Sequence, residues 1–293
     1  MSPDQPTVLV ERIGAVSRLT LNRPERHNPL TPRCIRELLA AVAHAEGDPE
    51  VRAVVIRGSG RSFSSGYGIL PEDLEPGDAG AAAGIEGDVS AMLELASGWA
   101  RVWDCAIPVV AQVHGNCLAG GTDLALHCDI VGAADDARIG FPPVRSMGVP
   151  PTNMWLYHLG PQWTKRLLFT GDTVSGADAA SIGLAQAAVP APELNGYTLS
   201  LAARIALVGR DLLVANKRVV NQGVELMGRS QLQRFAALND AVAHRSPDAR
   251  AFTVRAGEVG LKQAVHERDV PFEVPVEVPS DASSDAIGGP TPT

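Results

Sequence analysis

The 293-residue sequence predicts an α/β fold with crossover connections. Three observations carry that expectation. Short runs of β-branched and aliphatic residues recur along the first two thirds of the chain, and helical periodicity fills several of the intervals between them. From about Leu194 onward the strand signals disappear and only amphipathic segments follow.

Residues 7–10 and 15–21 read as two strands on either side of Gly14. The polar, proline-punctuated stretch Leu21-Asn22-Arg23-Pro24-Glu25-Arg26-His27-Asn28-Pro29-Leu30 reads as a loop. Thr31 is placed to cap a helix whose first position is Pro32, and Ile35, Leu38, Leu39 and Val42 give that helix one buried stripe. Residues 53–57, ended by Gly58-Ser59-Gly60, read as a buried strand. Residues 71–90 are rich in Gly, Ala, Asp, Glu and Pro and predict a mobile surface loop, followed by a helix over about 89–103. Residues 109–113 are another buried strand, which runs into a glycine-rich turn; 124–128 continue as a helix and 130–133 as a strand. Amphipathic segments near 194–208, 211–227, 230–244 and 248–266 predict a helical C-terminal portion. Residues 274–293 mix Pro, Ser, Gly, Asp and Thr without periodicity and read as a disordered tail. The expected division is a core over 1–193, a helical region over 194–270 and a tail over 271–293.

With 45% hydrophobic and 20% charged residues, the chain has the composition of a soluble globular protein. A net charge of -8 argues against a nucleic-acid surface, while leaving room for a local basic patch toward a phosphorylated ligand. Cys34, Cys105, Cys117 and Cys128 show neither CxxC nor His/Cys ligand spacing, which predicts reduced, buried thiols and no metal site. Met1-Ser2-Pro3-Asp4-Gln5 lacks the charged and apolar regions of a secretion signal. No apolar run reaches the roughly 18 residues that span a bilayer. The expectation is a cytoplasmic protein without membrane contact.

Two turns carry the chemical signal. Phe63-Ser64-Ser65-Gly66-Tyr67-Gly68 follows the strand at 53–57, and Ala119-Gly120-Gly121 follows the strand at 109–113 and opens a helix. Such glycine-rich turns can bring backbone N–H groups close to a developing oxyanion, with no charge to desolvate. Either turn alone is equally what tight packing produces, and neither contains GxGxxG, G-x-S-x-G or a phosphate-loop lysine. Their order, with the intervening helix, is the specific feature.

Together with the loop 21–30, Gly60-Arg61-Ser62-Phe63-Ser64-Ser65-Gly66, the segment from His114 to Asp129-Ile130, Phe141-Pro142 and Leu168-Phe169-Thr170-Gly171-Asp172, these turns make the chain resemble the enoyl-CoA hydratase/isomerase (crotonase) superfamily over about residues 7–270. That resemblance implies a spiral of ββα units, a C-terminal helical part that builds homotrimers or dimers of trimers, and acyl-CoA thioester substrates. CoA enters as part of the substrate, with no separate cofactor. It also implies oxyanion donors at the amides of Tyr67 and Gly120, and CoA contacts from the loop 22–30. Arg26 is the candidate phosphate contact, with a solvated surface arginine as the alternative. Ser64, Ser65 and Gly66 would lie by the adenine or pantetheine, and Trp155 could line the acyl pocket or simply belong to the core.

Hydratases of that superfamily are similar to a two-carboxylate machine, in which two glutamates hold a water. Here the first position is Asp123, shorter by one methylene, and the second is Pro143, which can exchange no proton. Displacements of the order of 1 Å can cost roughly 100-fold in rate, so a two-glutamate hydration is not the expectation. Asp123 reads as the main acid/base, or else as a first-turn carboxylate favoured by the helix dipole. The alternatives are isomerisation, hydrolysis or carbon–carbon cleavage of a bulky acyl-CoA, or a non-catalytic acyl-CoA binder. Candidates for a second group are the Tyr67 phenol, Glu72, Asp73, Glu75, Glu94, Tyr157 and His158, each weighed against a solvated or packed role. His114 is expected to hydrogen-bond its turn and Asp129 to serve structure.

Overall fold

The computed structural model describes residues 5–70, 73 and 84–273. Strands β1 (Val8–Ile13) and β2 (Val16–Leu21) form an antiparallel hairpin in which Ile13 pairs with Val16. Helix α1 (Pro32–Gly47) starts as its sequence dictates: Thr31 is extended, its hydroxyl accepts from Cys34 N at 3.2 Å, and Pro32 fills the first helical position. Strand β3 (Ala53–Gly58) returns parallel to β2. After α2 (Gly84–Trp103), β4 (Val109–Val113) pairs parallel with β3.

The chain then leaves the sheet. β5 (Asn116–Leu118) and α3 (Gly120–Leu126) continue past the end of β4 before β6 (Ile130–Ala134) comes back beside it. β7 (Arg138–Gly140) pairs with β5, and a 3-10 turn at Pro142–Arg145 leads to α4 (Trp155–Thr170). β8 (Thr173–Ser175) closes on β7, and α5 (Gly176–Ser181) returns the chain to β9 (Ala187–Val189), which pairs with β6. The result is a six-stranded sheet, β1-β2-β3-β4-β6-β9, with a three-stranded sheet β5-β7-β8 beside it.

The central strands are buried on both faces, as expected for parallel pairs under crossover helices. Val54 and Ile56 face a core shared with Leu38 of α1 and Trp99 of α2. Ala53 and Val55 face the other way, onto Ala202, Leu199 and Ile205 of α6 (Ala191–Ile205). Helices α7 (Arg210–Leu226), α8 (Arg229–Ala243), α9 (Pro247–Val259) and α10 (Leu261–Asp269) complete the described chain. Among the described residues no helix is long and apolar enough to cross a membrane, and no cluster of three His, Cys, Asp or Glu could hold a metal. All four cysteines are free and buried.

Three expectations need adjustment. Helix α2 begins at Gly84 rather than near 89, because Arg245, in the turn just after α8, ion-pairs with Asp88 and tertiary contact overrides the weak local propensity. The segment expected over 248–266 is two helices, divided at Gly260, whose φ of +84° no continuing helix can hold. Helix α4 has no counterpart in the sequence reading, because Gly160-Pro161 punctuates it and kinks it at Gly160. Glu72, Glu75 and the segment 274–293 lie outside the described residues.

Candidate active site

The two glycine-bearing turns meet because the loop after β3 is stitched to the exit of β4. Phe63 N donates to His114 O at 2.8 Å, Ser64 N to Asn116 O at 2.9 Å, and Leu118 N to Ser64 O at 3.1 Å. Gly66 adopts φ +109°, and a Cβ there would stand 2.8 Å from the Ala119 Cβ and 3.4 Å from Gly120 N. Only glycine allows both that dihedral and that approach. Around Tyr67 the neighbouring groups bond to one residue, Leu30: Leu30 N donates to Gly66 O at 2.8 Å and Gly68 N to Leu30 O at 3.0 Å. The N–H of Tyr67 itself therefore points away from that bridge. Among the described residues neither the Tyr67 nor the Gly120 amide has an acceptor.

The second turn is strained. Ala119 caps α3 at φ +49°, ψ -122°, where a side chain is disfavoured, and its carbonyl accepts from Thr122 Oγ1 at 2.6 Å and Thr122 N at 2.8 Å. The Tyr67 ring lies against Gly120: a Cβ on that glycine would be 2.7 Å from the ring. Tyr67 thus lays its aromatic face on Gly120 and carries its phenol beyond it.

The phenol reaches Asp123, in the first turn of α3. Tyr67 Oη donates to Asp123 Oδ2 at 2.8 Å and receives the indole N–H of Trp99 at 3.0 Å. Thr152 Oγ1 donates to the other carboxylate oxygen at 2.5 Å. Asp123 is 1% exposed. Burial pushes its carboxyl up to about 7, against the pull of the Thr152 and Tyr67 hydroxyls, and the charge of Asp240 adds to the rise. Burial, then the charge of Asp123, pushes the Tyr67 phenol well above its ordinary range, so it stays a proton donor to Asp123. A buried carboxyl raised toward neutrality is suited to acid/base work, and amides without an acceptor are suited to holding a negative oxygen.

Pro143 contributes its backbone. Its carbonyl accepts from Met147 N at 2.7 Å, Ser146 N at 3.1 Å and Gly148 N at 3.3 Å, and so folds the chain into the segment 148–152 that carries Thr152. Val149 N in that segment donates to Asp240 Oδ1 of α8 at 2.8 Å. Thr152 and Asp240 are absent from the sequence reading, and no local motif marks either. His127 is a third such residue: buried, it meets Asp123 O through Nδ1 at 2.6 Å and Gln233 of α8 through Nε2 at 3.2 Å. Burial pushes it down to about 3, so it stays neutral and braces α3.

The other candidates fall on both sides of the site. Arg26 holds Asp73 with a bidentate pair at 2.5 and 2.8 Å, and Asp73 is buried beneath it. Ser64 is buried; its hydroxyl donates to Asn28 O at 2.8 Å and accepts from Gly66 N at 3.1 Å, which braces the first turn. Ser65 is exposed, and its amide donates to His27 O at 2.8 Å. Trp155 is fully buried at the start of α4, and its indole N–H meets no acceptor among the described residues. His114 Nε2 meets Gly60 O at 3.0 Å, and Asp129 accepts from Val109 N and Lys217 Nζ, each at 2.7 Å. His158 packs onto Leu126 O at 3.0 Å, while Glu94 faces solvent and Tyr157 is half-buried.

Comparison with known proteins identifies the family. The family profile described as Enoyl-CoA hydratase/isomerase matches residues 11–251. The short-chain-enoyl-CoA hydratase of Clostridium acetobutylicum is 31% identical over 224 residues, which cover 74% of this chain and 82% of that protein. A crystal structure of an enoyl-CoA hydratase from Mycobacterium smegmatis is similar at a TM-score of 0.84 and 36% identity, over 91% of this chain and 94% of that one. An enoyl-CoA hydratase/isomerase from Xanthobacter autotrophicus Py2 gives a TM-score of 0.84 at 32% identity, over 92% and 99%. With β2 to β9, both turns and helices α6 to α8 inside the matched residues, the chain belongs to the enoyl-CoA hydratase/isomerase (crotonase) superfamily and is an enzyme of that family.

Proposed function

We propose that this enzyme acts on an acyl-CoA thioester through an oxyanion-stabilised enolate. The Tyr67 and Gly120 amides would take the thioester oxygen, and Asp123 would be the main acid/base. One observation carries the reading: a fully buried carboxyl, held between two hydroxyls and raised to about 7, sits in the helix that the second turn opens. An enolate route needs a base at the α- or γ-carbon and donors that bind the oxygen more tightly as charge builds on it. CoA serves as part of the substrate, and no metal or redox group is invoked.

Asp123→Ala is expected to keep CoA binding and lower turnover at least about 100-fold, as for the loss of a positioned acid/base. Turnover equal to wild type would remove Asp123 from the mechanism. A panel of enoyl- and oxoacyl-CoA thioesters, read by mass, separates the outcomes: gain of water, release of CoA, isobaric conversion, or binding without change. The last would favour a binder over an enzyme with these roles.

Arg26, Ser65 and Gly66 are proposed to face the CoA moiety, with Ser64 acting through the turn it braces, and Trp155 to bound the acyl pocket. Self-association into trimers or dimers of trimers is also proposed. Large apolar side chains on the C-terminal helices support it, with Leu212 and Leu226 on α7 at 62% and 81% exposed and Phe235 on α8 at 64%. A solution mass of one chain at micromolar concentration would oppose it.

A further inference from the structure

We propose that the Tyr67 phenol is the group that touches the substrate carbon, and that Asp123 takes the α-proton of the thioester through it. The inference rests on the enolate reading above and adds a catalytic residue to it.

Four side chains form one hydrogen-bonded group. Tyr67 Oη donates to Asp123 Oδ2 at 2.8 Å and accepts from Trp99 Nε1 of α2 at 3.0 Å, while Thr152 Oγ1 donates to Asp123 Oδ1 at 2.5 Å. Three of the four are sealed: Asp123 is 1% exposed, and Trp99 and Thr152 have no exposed surface. Tyr67 alone is half-buried. A molecule arriving from solvent therefore meets this group at Tyr67. Asp123 has a hydroxyl on each oxygen and protein around it.

The position of the ring suits the role. A Cβ on Gly120 would stand 2.7 Å from the Tyr67 Cζ, the carbon that bears the hydroxyl. Oη is thus one bond from an atom packed on the glycine whose amide is left for the thioester oxygen. The α-carbon of a thioester is two bonds from that same oxygen. The phenol oxygen also has capacity: its proton goes to Asp123 and one lone pair takes the Trp99 N–H, which leaves the second pair without a partner among the described residues.

Neither oxygen does this work alone. Burial and the charge of Asp123 keep the phenol protonated, so Tyr67 accepts a proton only while passing its own to Asp123. Asp123, raised by burial to about 7, is ionised in part at neutral pH and can receive it. The charged groups that act on the phenol are Asp123 of α3 and Asp240 of α8, both of which hold it in its acid form; His127, which meets the Asp123 carbonyl, is neutral.

Atoms and charge balance in this step. The Cα–H bond breaks and its proton bonds to Oη, as the Oη–H bond breaks and that proton bonds to Asp123 Oδ2. The C–H electron pair becomes the enolate, with its charge on the thioester oxygen at the Tyr67 and Gly120 amides. Tyr67 is a phenol before and after, the carboxylate has become a carboxylic acid, and the negative charge has moved to the substrate. The Trp99 N–H holds Oη in place while it exchanges one proton for another.

The test follows tritium release from the α-carbon of a saturated acyl-CoA as a function of pH, with thioester affinity measured by calorimetry. Wild type is compared with Tyr67→Phe, Asp123→Asn and the double variant. Tyr67→Phe is expected to bind the thioester as wild type does and to lose about 100-fold or more of the rate on the high-pH plateau, where Asp123 is ionised in both proteins. A phenol that only tunes Asp123 would move the pH limb and leave that plateau alone. Asp123→Asn should lose a similar factor, and the double variant no more than either, because both changes cut one path. In wild type the plateau rate should be lower in D2O than in H2O, since the phenol proton moves in the same step; direct abstraction by Asp123 moves no solvent-derived proton. A Tyr67→Phe plateau equal to wild type overturns the proposal, as does a double variant in which the two losses multiply. A fall in rate matched by a fall in thioester affinity marks a structural role and overturns it too. If Tyr67→Phe fails to fold, wild type decides: equal plateau rates in H2O and D2O exclude the relay. Each of these results leaves the enolate reading standing. Wild type that releases tritium from no thioester of a broad panel defeats the enolate reading, and the inference falls with it.

Discussion

Replacing Tyr67 with Phe removes one oxygen and leaves the ring on Gly120 and the amide in its turn. That oxygen donates to Asp123 Oδ2 at 2.8 Å and accepts from Trp99 at 3.0 Å. A hydrogen bond to an ionised group contributes about 1.5–3 kcal/mol, and each 1.36 kcal/mol corresponds to one pH unit, so the carboxyl should move up by about one to two units. From its starting value of about 7 it would reach roughly 8–9, and the ionised fraction at pH 7 would fall from about half to about 1–10%. The direction is fixed: the lost donor favoured the anion, so its removal favours the acid. The limb of the kcat/KM profile that reports Asp123 moves to higher pH whether the group serves as base or acid. Stability should respond in the same sense. A carboxyl raised above its unfolded value of 3.8 costs stability progressively as pH climbs from about 4 to its folded value and no more beyond, so Tyr67→Phe extends that loss to about pH 8–9. The orphaned Trp99 N–H adds a further cost of about 1–3 kcal/mol at every pH. Rate profiles from pH 5 to 9.5, with urea melts at pH 5 and 9, check both effects. A limb that stays in place or moves down would refute the assignment of Tyr67 as the donor that holds Asp123 near neutrality.

Ala119→Gly should stabilise the fold by up to about 2 kcal/mol, since relief of roughly 1–3 kcal/mol of strain at φ +49°, ψ -122° outweighs the added chain entropy of about 0.4–1 kcal/mol. A lower urea midpoint would show that the alanine methyl packs more favourably than its backbone is strained. Arg26→Ala should weaken the fold by a few kcal/mol, because the buried Asp73 loses its bidentate partner. If Arg26 also meets a CoA phosphate, KM for the thioester rises while kcat stays; an unchanged KM would confine Arg26 to structure.

The legible parts of the chain are those governed by neighbours in sequence. Thr31-Pro32 announces α1 because a cap and a fixed φ are local, and the apolar runs of β3 and β4 announce themselves because both faces of those strands are covered. The C-terminal helices are readable from periodicity, although the division of α9 from α10 at Gly260 is not. The two turns are visible as glycine runs, yet their meeting depends on bonds such as Ser64 N to Asn116 O, which only the family resemblance anticipates. Strands of three residues, β5, β7, β8 and β9, are too short to show a period of two. Thr152, His127 and Asp240 stay hidden because each is ordinary in its own segment. A threonine after two prolines or an aspartate on an amphipathic helix acquires meaning only from what it touches.

Pro143 is best understood together with its neighbours. A proline there fixes the 3-10 turn Pro142–Arg145, and its carbonyl gathers three amides that deliver the segment 148–152. Pro150 and Pro151 stiffen that segment, so Val149 N and Thr152 Oγ1 are presented in fixed relation, one to Asp240 and one to Asp123. The shorter Asp123 fits the same logic. Its carboxylate is met at 2.8 Å by the Tyr67 phenol and at 2.5 Å by Thr152, so a hydroxyl holds each of its oxygens.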